Sequence, residues 1–355
     1  MKRYILILLS LLAMISCHRI KDGEHVIHIL TTNDVHGRYF DSLYVDNSTR
    51  PSLLSVSAYV DSLRTVWGED NVVLIDAGDC LQGDNASFYY NFIDTVSTHL
   101  YARMVDYIGY DAVVVGNHDI ETGHPVYDRV RKDMKTPFLA ANAIEEGTGK
   151  SYFEDYVILR KGGVKVAVIG FTNANIRNWL SPELWSGMDF KSLIPFAQEL
   201  VDKVRMDEKP DVVIVATHSG VGSGDGNLLE GQGMDLFNSL SGVDFVICAH
   251  DHRPVVHKND TICLLNAGSH CRNLGHGRLA LTVRNGRIVS RVLDGDLINI
   301  DKKAVDQKMK DRFAADYKAV KEFTTKEVGT LLTSLRTRDS YTGMSDYLNL
   351  LHTLS

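Results

Sequence analysis

The chain has 355 residues, 44% apolar and 23% charged, with a formal net charge of −7. That length and balance are enough to bury a sizeable core. No basic patch stands out, which argues against long nucleic acid as a partner.

The first residues stand apart from that core. Lys2 and Arg3 form a basic start, and Ile5 to Ile15 form an apolar run of signal-peptide length, too short for a comfortable membrane span. Met14-Ile15-Ser16-Cys17 is similar to a bacterial lipobox. The expectation is a signal peptide over 1–16, an acylated Cys17, and a polar tether over 17–25. The protein would then be exported and held by lipid on a bacterial membrane, facing the periplasm or the cell surface. An ordinary cleaved signal or an uncleaved anchor are the other readings. Removal of 1–16 leaves 36 basic against 45 acidic residues, a net charge of −9.

A strand is expected over 26–32. Pro51 to Trp67 carries apolar residues at 53, 56, 60, 63 and 67, a helical stripe. Positions 92, 96, 100, 104 and 108 form a second, closed by Gly109. Strands follow near 111–116, 164–170, 211–217, 243–249, 261–267, 277–284 and 287–293. Helical patterns lie between the earlier ones, and Arg284-Asn285-Gly286 signals a hairpin between the last two. The core is therefore α/β with part of its sheet antiparallel, over residues 26–300. Asp301 to Phe323 reads as a charged helical stretch, 326–332 as one strand, and Tyr347 to Leu354 as a helix. There is no internal repeat. Cys80, Cys248, Cys263 and Cys271 form no C-x-x-C motif and read as core residues rather than disulfides.

Five apolar runs end in residues that bind metal: IHILTTNDVHG, VVLIDAGDCLQG, AVVVGNHDIE, VVIVATHSG and FVICAHDH. Their candidate ligands are Asp34, His36, Asp79, Asn117, His218, His250 and His252. In open α/β sheets the site lies outside the carboxyl ends of the strands. Seven oxygen and nitrogen ligands exceed the need of one zinc and suit two metals sharing a carboxylate, an arrangement used for displacement at phosphorus. The donor set admits Mn, Zn, Fe, Co or Mg. Two divalent cations would also dominate the local field, so a net-negative chain can still take a small phosphate ester.

Asn33-Asp34-Val35-His36-Gly37, Gly78-Asp79 with Gln82-Gly83, Gly116-Asn117-His118-Asp119, Thr217-His218-Ser219 and Ala249-His250-Asp251-His252 resemble, in order, the motifs of the metallophosphoesterase (calcineurin-like) superfamily. Within it the resemblance, over about residues 25 to 340, is to the catalytic domain of bacterial 5′-nucleotidases and 2′,3′-cyclic nucleotide phosphodiesterases. It implies two packed mixed β-sheets flanked by helices, a four-layer sandwich. One metal would take Asp34, His36, Asp79 and His252; the other would take Asp79, Asn117, His218 and His250. A hydroxide shared between them would attack the ester. The alternatives are a broader phosphodiesterase or sugar-nucleotide hydrolase, or a lipid-anchored metal or nucleotide binder with little turnover. His118 would contact the transferred phosphoryl group. Its partner in the family is an Asp three positions later; here that position is Glu121, which also reads as a solvated acid. Asp119 reads as a local cap. Arg38 and Arg253 follow ligand motifs and read either as phosphate contacts or as salt-bridge partners. His270 and His276 read as loop or supporting residues, and Trp179 and Trp185 as packing. The resemblance also implies that 301–355 is a linker helix and the start of a second domain. In the family that domain carries the aromatic clamp for the base.

Overall fold

The structure is a computed structural model describing residues 20–354 apart from 333 and 344. Cys17, expected above as the acylation site, lies outside the described residues. Two six-stranded sheets form the centre. In the first, β1 (Gly23–Thr32), β2 (Val72–Asp76), β3 (Ala112–Val114) and β4 (Phe138–Leu139) run parallel. On the other side of β1, β13 (Asn273–Arg284) and β14 (Arg287–Asn299) add antiparallel strands. The hairpin between them turns at Asn285 and Gly286, both with positive φ, as its two-residue turn requires. A small two-stranded sheet pairs β5 (Ala143–Glu145) with β8 (Met188–Phe190).

The second large sheet has the order β11-β12-β10-β9-β7-β6. In it β7 (Val164–Phe171), β9 (Val212–Thr217), β10 (Phe245–Ile247) and β12 (Cys263–Asn266) are parallel. Its edges, β6 (Tyr156–Lys161) and β11 (Val255–Lys258), are antiparallel.

The period-two alternation of each strand sends its apolar residues to two cores. Ile27, Ile29, Val73, Ile75, Ala112 and Val114 meet Val166, Val168, Ile214 and Phe245 of the facing sheet. From the same strands Leu30, Val72, Leu74 and Val113 face the opposite way, under a helical layer that includes Leu53–Trp67 and Leu100–Ile108. Val213, Val215 and Val246 of the second sheet pack under the helices Leu193–Glu208 and Gly233–Ser239. The order is helix, sheet, sheet, helix, the four-layer architecture expected. Strands buried on both faces must be apolar throughout, which is why they read as unbroken runs.

Several boundaries differ from expectation. β1 begins at Gly23, inside the stretch expected as a tether, and Ile20 is buried between the sheets. The stripe from 92 to 108 is not one helix. Tyr89–Ile93 is a π-helical turn, and the Asp94 side chain accepts the backbone N–H groups of Val96 and Ser97, which ends it. The helix restarts at Leu100, leaving Val96 95% exposed. Residues 326–332 form no strand: Val328 and Leu332 are fully open to solvent, and among the described residues no sheet edge pairs with them. The helices Gln307–Arg312 and Ala314–Thr324 are present, and Met309, Phe313 and Val320 are buried in the first helical layer. Lys310 pairs there with Asp41 at 2.6 Å. Asp346–Leu354 is helical as expected. The four described cysteines are buried and free.

Candidate metal centre

All seven candidate ligands follow the carboxyl ends of β1, β2, β3, β9 and β10, six in loops and Asn117 at the start of the short helix Asn117–Glu121, and the two packed sheets bring these ends together. Five of the seven have left-handed backbone: Asp34 (φ 49°), His36 (48°), Asp79 (62°), His250 (70°) and His252 (55°). Each costs about 1–2 kcal/mol in a residue with a Cβ. Such strain concentrates where side-chain aim matters more than local stability.

The side chains fall into two groups. In the first, Asp34 Oδ1 lies 3.2 Å from His252 Nε2 and 3.8 Å from His36 Nε2, and the two Nε2 atoms are 3.0 Å apart. In the second, Asp79 Oδ2 is 3.0 Å from His218 Nε2, with His250 beside them and its Nδ1 3.0 Å from Asn117 Oδ1. Two buried atoms, Asp34 Oδ1 and His218 Nε2, have no aligned hydrogen-bond partner. The His218–Asp79 contact is close but off the line of a hydrogen bond. Backbone carbonyls hold the far nitrogens: Ala77 O lies 2.7 Å from His218 Nδ1 and Gln82 O 3.2 Å from His36 Nδ1. An Nδ1–H donated to a carbonyl leaves the Nε2 lone pair facing the cluster.

The electrostatics follow from burial against charge. Burial pushes the imidazoles of His36 and His250 down, the latter to about 4. Burial also works against the His218 cation, but the Asp79 carboxylate outweighs it and raises His218 to about 10. His252 is raised by the Asp34 carboxylate, whose Oδ1 lies 3.2 Å from its Nε2. Without a cation, protons must balance the two carboxylates.

The supporting residues were only partly foreseen. Asp119 is more than a local cap. Its Oδ2 accepts N–H from Asp79 (2.9 Å) and Gly116 (2.8 Å), and its Oδ1 accepts from Cys80 and Leu81 (both 2.9 Å). It therefore clamps the loop after β2 to the loop after β3. Asn33 donates to Asp34 Oδ2 and to Asn266 Oδ1, and Asn266 donates to Asp251. Asn266 was not singled out from the sequence, although it too ends an apolar strand.

His118 Nδ1 pairs with Glu121 Oε2, so the longer acid does reach, and the His118 ring lies 5.5 Å from that of His36. Its backbone N–H donates to Asp79 Oδ1 at 2.8 Å. Arg38 is half-buried and Arg253 exposed, and neither makes an ion pair among the described residues. His270 lies beside the first group, its ring 5.5 Å from His36 and its N–H on Asp34 O. His276 stacks instead on Trp67 and His28, on the outer side of the sheet. Trp185 packs on Phe190, whereas Trp179 stacks on the His250 ring at 5.0 Å and faces the site.

The calcineurin-like phosphoesterase family profile matches residues 27–254. Protein UshA of Salmonella pullorum is 33% identical over 202 residues, 56% of this chain and 35% of that protein. A 5′-nucleotidase of Vibrio cholerae is 31% identical over 201 residues, 56% of this chain and 34% of the relative. The chain thus spans about a third of the length of the curated relatives it matches. Among solved structures, the calcineurin-like phosphoesterase YfkN of Bacillus subtilis superposes with a TM-score of 0.75 at 22% identity, covering 86% of this chain and 100% of that one. A family match over more than half the chain, joined to the same four-layer fold, means that this protein belongs to the calcineurin-like phosphoesterase family.

Proposed function

We propose that the protein hydrolyses phosphate esters, nucleotides foremost, with two divalent metals held by the seven strand-end residues. The observation that carries this reading is the pair of buried, unpartnered ligand atoms, Asp34 Oδ1 and His218 Nε2, one in each group. Buried polar atoms are rarely left unpaired, and a cation at each group would satisfy both. The all-nitrogen-and-oxygen donor set fits Mn, Zn, Fe, Co or Mg. Asp34, His36 and His252 would hold one ion, and Asn117, His218 and His250 the other. Asp79 would bridge, because a carboxylate has two anionic oxygens to share. When bound, such a pair neutralises phosphoryl charge and makes water a nucleophile near neutral pH.

The chain's own residues would do the rest. Asp119 fixes the loops on either side of the site through the N–H groups of Asp79, Cys80, Leu81 and Gly116. Glu121 holds His118 Nδ1, so His118 Nε2 can meet a phosphoryl or leaving oxygen and supply its proton. Arg38 and Arg253, which make no ion pair among the described residues, would be available to a phosphate. The 5′-nucleotidase among the relatives supports a nucleotide substrate. Export and lipid anchoring through Cys17 complete the proposal, as does a division into a catalytic domain to residue 300 and a linker helix after it.

Turnover of p-nitrophenyl phosphate and of its bis ester, with and without Mn(II) after chelation, tests the reading. Metal-restored hydrolysis of either ester is expected, and none with any metal would reject it. His118→Ala should keep its metal and lose rate by about 10²–10⁴. Loss of metal in that variant would make His118 a ligand.

A further inference from the structure

A cavity of about 560 Å³ opens beside the candidate centre, lined by Gln82, Asn85, Phe88, Phe92, Glu121 and Thr122 among others. Two of these residues tie it to the site. The carbonyl of Gln82 meets His36 Nδ1, and Glu121 pairs with His118. The cavity therefore starts where the space around the phosphoryl group ends. Its volume is within the range of small-ligand pockets, about 300–1,000 Å³.

We infer that this cavity is the leaving-group subsite and takes the nucleoside part of a monoester, an inference that rests on the phosphoesterase reading above. The π-helical turn after Phe88 places that ring and Phe92 5.3 Å apart at 60° to one another, and both are half exposed. Two tilted rings offer one face for stacking and one edge for a T-shaped contact, which suits a flat heterocycle. Gln82 and Asn85 are exposed, and their side-chain amides make no hydrogen bond among the described residues. An amide offers both donors and acceptors, which match a base edge or a ribose hydroxyl. Charge restricts the class further. The acidic lining residues already have partners: Asp84 is held by Arg50 at 2.6 Å, and Glu121 is held by His118. Among the described residues no lysine or arginine lines the cavity, so a second phosphate would enter beside acids with no cation of its own. The subsite thus favours one phosphoryl group on a neutral aromatic nucleoside over di- or triphosphates. It is also separate from any aromatic clamp in a further domain, because Phe88 and Phe92 belong to this folded body.

The test uses the full chain. Adenosine, which carries no phosphate, should bind the metal-free protein by saturation-transfer NMR, and the double variant Phe88→Ala/Phe92→Ala should weaken it at least tenfold (about 1.4 kcal/mol). With metal, the ratio of kcat/KM for adenosine 5′-monophosphate over glycerol 3-phosphate should fall by about the same factor. That ratio does not depend on the active fraction. If the double variant does not fold, Asn85→Trp, at an exposed rim position, should fill the cavity and lower the same ratio. An unchanged ratio, or equal adenosine binding by wild type and variant, would overturn the inference and make the phenylalanine pair a docking face for another segment. Absence of turnover on both esters would instead remove the phosphoesterase reading, and adenosine binding would still report on the cavity.

Discussion

Replacing Asp119 by Asn removes one negative charge and changes two acceptor sites to donors, with almost no change in volume. The buried carboxylate now receives four backbone N–H groups at 2.8–2.9 Å. Burial and the neighbouring Asp79 push its pKa up, and the amides of Gly116, Cys80 and Leu81 pull it back. In the Asn variant one end still accepts two N–H groups. The other end presents an NH₂ to two N–H donors that have no other partner. A buried donor left unpaired costs about 1–3 kcal/mol, so two cost about 2–6 kcal/mol. Against a total stability of about 5–15 kcal/mol this is a large fraction. The assay is urea unfolding of the chelated, metal-free protein followed by circular dichroism, with Asp225→Asn as control. Asp225 accepts one N–H, that of Asn227, on an exposed loop, and its loss should cost under about 1 kcal/mol. If Asp119→Asn costs no more than the control, the four-donor clamp is not holding the two loops and the reasoning fails.

Gly116→Ala should disable the centre without backbone strain at residue 116, whose φ of −94° suits alanine. Its Cβ would fall 2.1 Å from Asp79 Oδ1 and 2.5 Å from Asp79 N, so the Asp79 carboxylate must move. Mn(II) affinity by calorimetry should drop about 10–100-fold or more, and wild-type affinity would count against the position given to Asp79. His99 offers a pH test away from the site. Burial, helped by Arg129 and Arg103, pushes its imidazole down to about 3, against about 6.5 when unfolded. Between those values the unfolded chain holds more protons, so stability is full above pH 6.5 and is lost as pH falls toward 3. His99→Gln removes that dependence. The stability difference between wild type and variant should fall by about 2 kcal/mol from pH 7 to pH 5, and a constant difference would contradict a neutral buried His99.

The metal-ligand candidates were legible because each follows a strand buried on both faces, and such strands are apolar runs with a polar end. His118 and Glu121 were legible only through the resemblance, which places a carboxylate three positions after the histidine. Asp119 was not legible as a clamp, because its partners are backbone amides from two other loops. The left-handed backbone of Asp34, His36, Asp79, His250 and His252 was equally hidden, since none of them is glycine. β4, β5 and β8 have only two or three residues, too few for a period. The stripe through Phe92 and Val96 matched a helix, and the Asx turn at Asp94 that breaks it exposed both residues. The segment 326–332 has a strand composition, but composition cannot supply a neighbouring edge.

Titration of the chelated protein with Mn(II), followed by electron paramagnetic resonance, tests the central claim most directly. Two ions bridged by Asp79 would lie about 3.5–4 Å apart, close enough for their spins to couple. The account requires two equivalents per chain and a coupled signal that is lost in Asp79→Asn. One equivalent with an uncoupled signal, or no uptake at all, would contradict it.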